Sequence, residues 1–308
     1  MTFFSQSTRA DLSRFFQRQP NIFLARYLPL SLYRKYLFII GFYYYGINTD
    51  ERKSISQSLN HVLDEKLSAF KFFYLKVKTY LGIFDHYCEK MINAHKSLVG
   101  MMNYLNRSVS VSGARMLRQA SERGCILVTG HFGGVEYIPL FLAANNYRPS
   151  IILRFKTNTL KQALVKKSNA VDLELIDADS PNVVFKALNA INKGRILITL
   201  CDEIRDWRPS KKERISLFGQ ALPKDRTLDI LYRRAKAPVY FGLIHRSKNH
   251  YDLSVQPLAD GVEDISLSEA SWKRMEYYIR QYPYQWYQWP NFYTEVKKYS
   301  MELAWNEA

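Results

Sequence analysis

The chain is poor in several things that would each have named a function. Its 308 residues hold three cysteines, Cys88, Cys125 and Cys201, none at a Cys-x-x-Cys or metal-ligand spacing. That removes a zinc ribbon and a disulfide scaffold, and it favours a reducing compartment. There is no Gly-x-Ser-x-Gly elbow and no cysteine close to the one well-placed histidine, so a covalent acyl-enzyme is not indicated. The histidines (His61, His86, His95, His131, His245 and His250) show no ligand spacing, and no glycine-rich cofactor loop appears, so neither a metal nor a cofactor is expected. The longest uncharged stretch, Tyr36 to Thr49, falls short of the ~20 apolar residues that span a bilayer. No signal peptide, internal repeat or low-complexity linker is visible. Acidic residues are scarce, 28 against 44 basic ones.

That imbalance leaves a formal charge of +16. It points to anionic partners: a phospholipid surface, an acidic protein or nucleic acid. Charge alone supports the last of these, because no zinc finger, RNP motif or basic heptad accompanies it. Hydrophobic residues make up 47% of the chain, enough for a sizeable core. The Tyr36–Thr49 patch, flanked by Arg34, Lys35, Arg52 and Lys53, reads either as an interfacial membrane segment or as a core helix with an aromatic end.

Residues 1–110 read as helical. Leu12 to Arg18 is amphipathic, and Ile55 to Tyr80 and Asp85 to Leu105 repeat apolar residues at helical spacing. From Arg123 onward the rhythm becomes strand, helix, strand, and residues 111–308 read as the α/β unit. Strands are expected at 124–129, 150–155, 173–176 and 195–201. Helices are expected at 137–144, 158–167, 182–192, 228–235 and 268–281. A hairpin is expected from 239–245 and 251–256, and a charged loop from 203 to 214. This predicts an α/β fold: a central, mostly parallel sheet with helices on both faces, under an N-terminal helical layer, together forming one compact unit.

The stretch Gly130-His131-Phe132-Gly133-Gly134-Val135-Glu136 stands at a strand-to-helix crossover, after the apolar run Cys125–Thr129. In an open α/β sheet ligands bind beyond the carboxyl ends of the strands. A neutral imidazole at His131 can take a proton from a hydroxyl, and Glu136 can fix its tautomer. Without a nucleophile of its own, the site would activate one on the substrate. A hydrolase that activates water is the neighbouring alternative.

The His-x4-Glu spacing of His131 and Glu136 resembles the signature of the lysophospholipid acyltransferase superfamily, and within it the chain is similar to the bacterial lipid A biosynthesis acyltransferases. Further segments match in order over residues 80–295: Arg154 to Asn158 as Arg-x3-Asn, the strand 196–202 ending in Asp202, Leu217-Phe218-Gly219-Gln220, Lys236-Ala237-Pro238-Val239, and Tyr282 to Trp289. Lys166, Lys167 and Asn169 stand where lipid A members carry an arginine. Asp202-Glu203 takes the place of an acidic/glutamine pair.

The resemblance implies a sheet like that of glycerol-phosphate acyltransferases. It implies direct acyl transfer from acyl carrier protein or acyl-coenzyme A to a hydroxyl or amine of a lipid acceptor, lipid A-like or another aminolipid, glycolipid or secondary-metabolite intermediate. The place of work would be the cytoplasmic face of a bacterial inner membrane. His131 would be the base and Glu136 its orienter. Arg154 would hold a phosphate or the oxyanion, or be a surface salt bridge. Asp202 would orient Arg154 or the acceptor, or cap a loop. Gly133 and Gly134 would offer N–H groups to the oxyanion, or only make the bend. Phe218 and Gly219 would shape a channel, or form a plain turn. Asn158 and Lys167 would contact substrate. Lys161, Lys166 and Lys167 form one candidate phosphate patch. A second basic surface runs through Arg205, Arg208, Lys211, Lys212, Arg214, Lys224, Arg226, Arg233, Arg234 and Lys236. Trp286 and Trp289 read as an aromatic plug on the core in preference to an interfacial pair.

Overall fold

In the computed structural model, residues 14–306 are described, except 64–66, 205–208, 249 and 263. Arg205 and Arg208 of the basic surface, and the start of the Leu12–Arg18 segment, lie outside the described residues. Five helices lead the chain: α1 (Gln19–Tyr27), α2 (Leu30–Ile47), α3 (Thr49–Val62), α4 (Ala69–His95) and α5 (Leu98–Ser108). The apolar repeat at 55–80 is thus divided between two helices. Asn48 caps α3 by accepting the amide of Glu51, and Ser68 caps α4 by accepting that of Lys71.

A seven-stranded sheet follows, ordered β1-β9-β8-β2-β5-β3-β4. Its strands are β1 (Val109–Ser112), β2 (Cys125–Thr129), β3 (Pro149–Leu153), β4 (Glu174–Asp177), β5 (Ile196–Leu200), β8 (Val239–Ser247) and β9 (His250–Ala259). Every pairing in it is parallel except the β8–β9 hairpin. The intervening helices are α6 (Ala114–Arg123), α7 (Ile138–Ala144), α8 (Asn158–Ser168), α9 (Val183–Asn192), α10 (Thr227–Ala235), α11 (Leu267–Gln281) and α12 (Trp289–Asn306). The mostly parallel sheet with its helices and N-terminal helical region is as the sequence predicts.

Several elements differ from expectation, among them the helix α6, which was not foreseen. The strand β1 was hidden in a short Val-Ser-Val-Ser, and the boundary drawn at residue 110 falls inside it. The charged loop is in large part a strand, because β6 (Pro209–Leu217) pairs with β7 (Gln220–Asp225) as a separate antiparallel ribbon. Lys212, Glu213 and Arg214 are exposed while Ile215 and Leu217 are buried. The helix α12 follows the aromatic run at 286–289.

One core cluster runs from Phe16 to Tyr299 and joins the helical half to the sheet. Central strand β2 is buried at every residue, as its unbroken apolar run requires. No described helix is long and apolar enough to cross a membrane. Yet α2 leaves Ile39, Phe42, Tyr43 and Ile47 exposed on one side, and α4 leaves Phe70, Phe73 and Tyr74 exposed near its start.

Candidate active site

Neighbouring strands β2 and β5 run parallel, with Thr129 opposite Leu200. The chain leaves both strands at the same end of the sheet. Two residues beyond Thr129 stands His131, and two beyond Leu200 stands Asp202. The Asp202 carboxylate is fully buried and accepts from the His131 backbone N–H at 2.8 and 3.0 Å, from His131 Nδ1 at 2.8 Å and from the Trp286 indole N–H at 2.7 Å. These donors satisfy both oxygens of the buried carboxylate. Gln288 brings its amide nitrogen to 3.0 Å from the same ring nitrogen. On the other side of the ring, Nε2 lies 3.3 Å from Glu203 Oε1.

Burial works against a charged imidazole here, but Asp202 and Glu203 outweigh it and raise the His131 pKa to about 10. The Glu203 carboxyl, which burial alone would raise, is pulled down to about 2 by His131, with help from Lys156 and Arg154. Without ligand, the resting pair is therefore imidazolium and carboxylate.

The expected orienter, Glu136, is placed elsewhere. Residues Val135–Tyr137 form a 3-10 turn that carries it toward α4, where Asn93 donates to its backbone carbonyl at 2.8 Å. Its carboxylate faces His86 Nε2 at 3.6 Å. His86 stacks on Tyr287, with ring centres 3.6 Å apart, and Tyr287 turns its ring edge-to-face with His131, at 4.9 Å. At Nδ1 of His131, where Glu136 was expected, the strand register places Asp202.

The glycines make the bend, and their N–H groups are engaged within the protein. Gly133 has φ +53°, and a side chain there would collide with the carbonyl of Ile244. The Gly133 N–H donates to the Gln285 carbonyl at 3.0 Å and that of Gly134 to Ile244 at 3.2 Å, so neither is offered to an oxyanion.

A cavity of about 410 Å³ opens beside His131, in the size range of small-molecule sites. His86, His131, Glu136 and Glu203 line its polar part. Leu140, Ile151, Leu153, Leu160, Leu164 and Leu175 line an apolar arm between the helices and β3–β4. Arg154 and Lys167 also line it. Arg154 donates to Asp179 at 2.8 Å, so it carries a salt bridge as well as facing the cavity. Lys167 donates to the Asn93 carbonyl, and burial lowers its pKa to about 8.

Three residues expected to contact substrate, Asn158, Phe218 and Gly219, are not at the cavity. Asn158 is exposed at the start of α8, where Thr157 supplies the cap. Phe218 and Gly219 form the β6–β7 turn, with φ of +51° and +80°, and the Phe218 ring packs on Trp286, Trp289 and Phe292. Buried Trp286 and Trp289 are the core plug that was expected.

Sequence reasoning missed His86, Lys90, Asn93, Tyr287 and Gln288 as lining residues. Nothing in the helical repeat marks the α4 residues. Asp202-Glu203 at a strand end and the 285–289 run did carry a signal. Among the described residues no group of three or more His, Cys, Asp or Glu side chains is placed to hold a metal ion.

Residues 22–289 match the family model described as bacterial lipid A biosynthesis acyltransferase. This span is most of the chain, and the protein belongs to that family; it is an acyltransferase. Among solved structures it is similar to the 1-acyl-sn-glycerophosphate (LPA) acyltransferase PlsC of Thermotoga maritima, at 14% identity and a TM-score of 0.38, over 82% of this chain and 95% of that one. No curated protein matches the chain.

Proposed function

We propose that the protein moves a fatty acyl group from an acyl thioester, on acyl carrier protein or coenzyme A, to a hydroxyl or amine of a lipid acceptor. His131 is the general base. The observation that carries this reading is the grip of Asp202 on Nδ1, which leaves Nε2 as the nitrogen open to proton transfer.

The acceptor replaces Glu203 at Nε2. Loss of that partner lets the imidazolium release its proton and become a base. As the acceptor oxygen or nitrogen attacks the thioester carbonyl, Nε2 takes its proton. The new C–O or C–N bond forms, the C–S bond breaks, and the imidazolium returns the proton to the leaving thiolate. Asp202 steadies the cationic ring throughout. The apolar arm takes the acyl chain, and Arg154 and Lys167 suit an anionic group on either substrate. Glu136 is retained as a residue of the site, acting through His86 and Tyr287.

The test uses radiolabelled acyl carrier protein, a bacterial lipid extract, and the wild type beside His131→Ala. A labelled lipid made only by the wild type supports the reading, with a loss of at least about 10³-fold in the variant. Equal product from both would end the mechanism. Label released as free fatty acid, whatever the acceptor, would favour the hydrolase.

The place of work is proposed to be the cytoplasmic face of a bacterial inner membrane, with the protein held peripherally. Exposed Ile39, Phe42, Tyr43 and Ile47, on a chain of charge +16, suit an interface with anionic lipid. Phe42→Ser with Ile47→Ser should release the protein from phosphatidylglycerol vesicles in a flotation assay. Unchanged flotation would remove α2 from the membrane contact.

A further inference from the structure

Behind the catalytic turn lies a buried charge network that the mechanism above does not use. Arg246, near the end of β8, is buried. Its guanidinium donates through Nε to Glu89 Oε1 at 2.6 Å and through Nη2 to Glu89 Oε2 at 2.8 Å. Nη2 also donates to the carbonyl of Gly133 at 2.9 Å. Glu89 comes from α4, in the helical half, and its Oε1 accepts a further bond from the Tyr251 hydroxyl at 2.9 Å. Asp85, one turn earlier on α4, lies 3.7 Å from Arg246 Nη1 and holds Arg34 in a two-pronged pair at 2.6 and 2.9 Å.

The backbone around Arg246 is fixed as tightly. Its N–H donates to Gln285 Oε1 at 2.8 Å, and Gln285 Nε2 returns a bond to the Arg246 carbonyl at 3.0 Å. The Gln285 carbonyl in turn accepts the Gly133 N–H. Gly133 is thus held at both its N–H and its C=O by two residues that also hold each other. It stands two residues from His131. A buried ion pair adds little net stability over an apolar pair of similar volume. What it does supply is a fork of rigid donors, and one tine reaches the turn.

We propose that Arg246, held by Glu89, is a positioning residue for His131: it fixes the Gly133 carbonyl, and through it the ring's place against Asp202. The helical half then contributes to the chemistry by clamping the turn from behind, as well as by walling the cavity. A displacement of the base by about 1 Å costs about a hundredfold in rate.

The proposal rests on His131 being the base, and one measurement is chosen to be independent of that reading. The proton on His131 Nδ1, bonded to Asp202, is followed by NMR in the substrate-free protein and assigned with His131→Ala. The first variant is Arg246→Met combined with Glu89→Leu, which removes both charges together. We expect a cooperative thermal transition near that of the wild type, a kcat lower by about a hundredfold, a KM changed by less than about threefold, and a shifted or broadened Nδ1 proton signal. The second variant, Arg246→Lys, keeps a cation for Glu89 but cannot serve both Glu89 and Gly133. It should show the same signature at reduced size, and it decides the matter if the double variant does not fold. A folded variant with wild-type kcat and an unmoved proton signal overturns the proposal. So does a kcat that falls only in step with the folded fraction. If the wild type transfers no acyl group to any acceptor, the proposed function fails, while the proton signal still tests the positioning role.

Discussion

Two histidine–carboxylate pairs face one cavity, with Tyr287 between them. His131 meets an aspartate that is wholly buried and bonded by every donor around it. His86 meets a glutamate at 3.6 Å, and that carboxylate is a quarter exposed. The chemistry of the two pairs is alike and their settings are not. Glu136 is five positions from His131, yet the ring is held by an aspartate 71 positions away. Partnership follows the parallel register of two strands, while nearness in sequence only places Glu136 in the cavity that His131 also lines.

The contrast can be broken at the aspartate. Asp202→Asn should lower kcat by about 10³- to 10⁴-fold, since an amide can favour the wrong tautomer of His131. A loss below about tenfold would return the orienting role to another group. A second test moves the pH dependence. Because His131 is held protonated by its two carboxylates, with a pKa near 10, kcat/KM of the wild type should climb with pH up to that value. Glu203→Gln removes one of the charges that raise it, so the rising limb should move to lower pH; a limb that stays in place would remove Glu203 from the resting pair. The same linkage acts on stability. The folded-state pKa is raised, so this contribution is complete below the ordinary histidine value of about 6.5 and is lost as pH passes through about 10. The smallest effect is expected at the looser pair. Glu136→Gln should cost less than about tenfold in kcat/KM, because its carboxylate lies at His86 and not at His131. A loss equal to that of Asp202→Asn would make the two pairs a single unit.

The mostly parallel sheet was legible because continuous apolar runs such as 125–129 and 196–200 have few other uses, and alternation with helices fixes their direction. The hairpin at 239–259 was legible for similar reasons. The β6–β7 ribbon was not, since Lys212, Glu213 and Arg214 obscure the inward alternation of Ile215 and Leu217. His131 was picked out by residue type at a strand end, and Arg154, Asp202 and Lys167 by the resemblance; His131, Arg154 and Lys167 line one cavity, with Asp202 buried behind the His131 ring. Phe218 and Gly219 were picked out by resemblance, and they serve the turn and the core. The α4 residues His86, Lys90 and Asn93 left no trace in the sequence, because a helix face that lines a cavity has the same spacing as one that lines a core. Glu89 and Arg246, far apart in sequence, were equally invisible as a pair.

The indole of Trp286 is the last donor to reach Asp202. During synthesis the histidine, the glycine bend and the aspartate all emerge long before it. Until that tryptophan arrives, the carboxylate lacks one of its bonds and the cavity lacks Tyr287 as a wall. The unfinished polypeptide therefore carries the histidine and the aspartate without their setting, and the assembled site arrives late, with the completion of the aromatic plug.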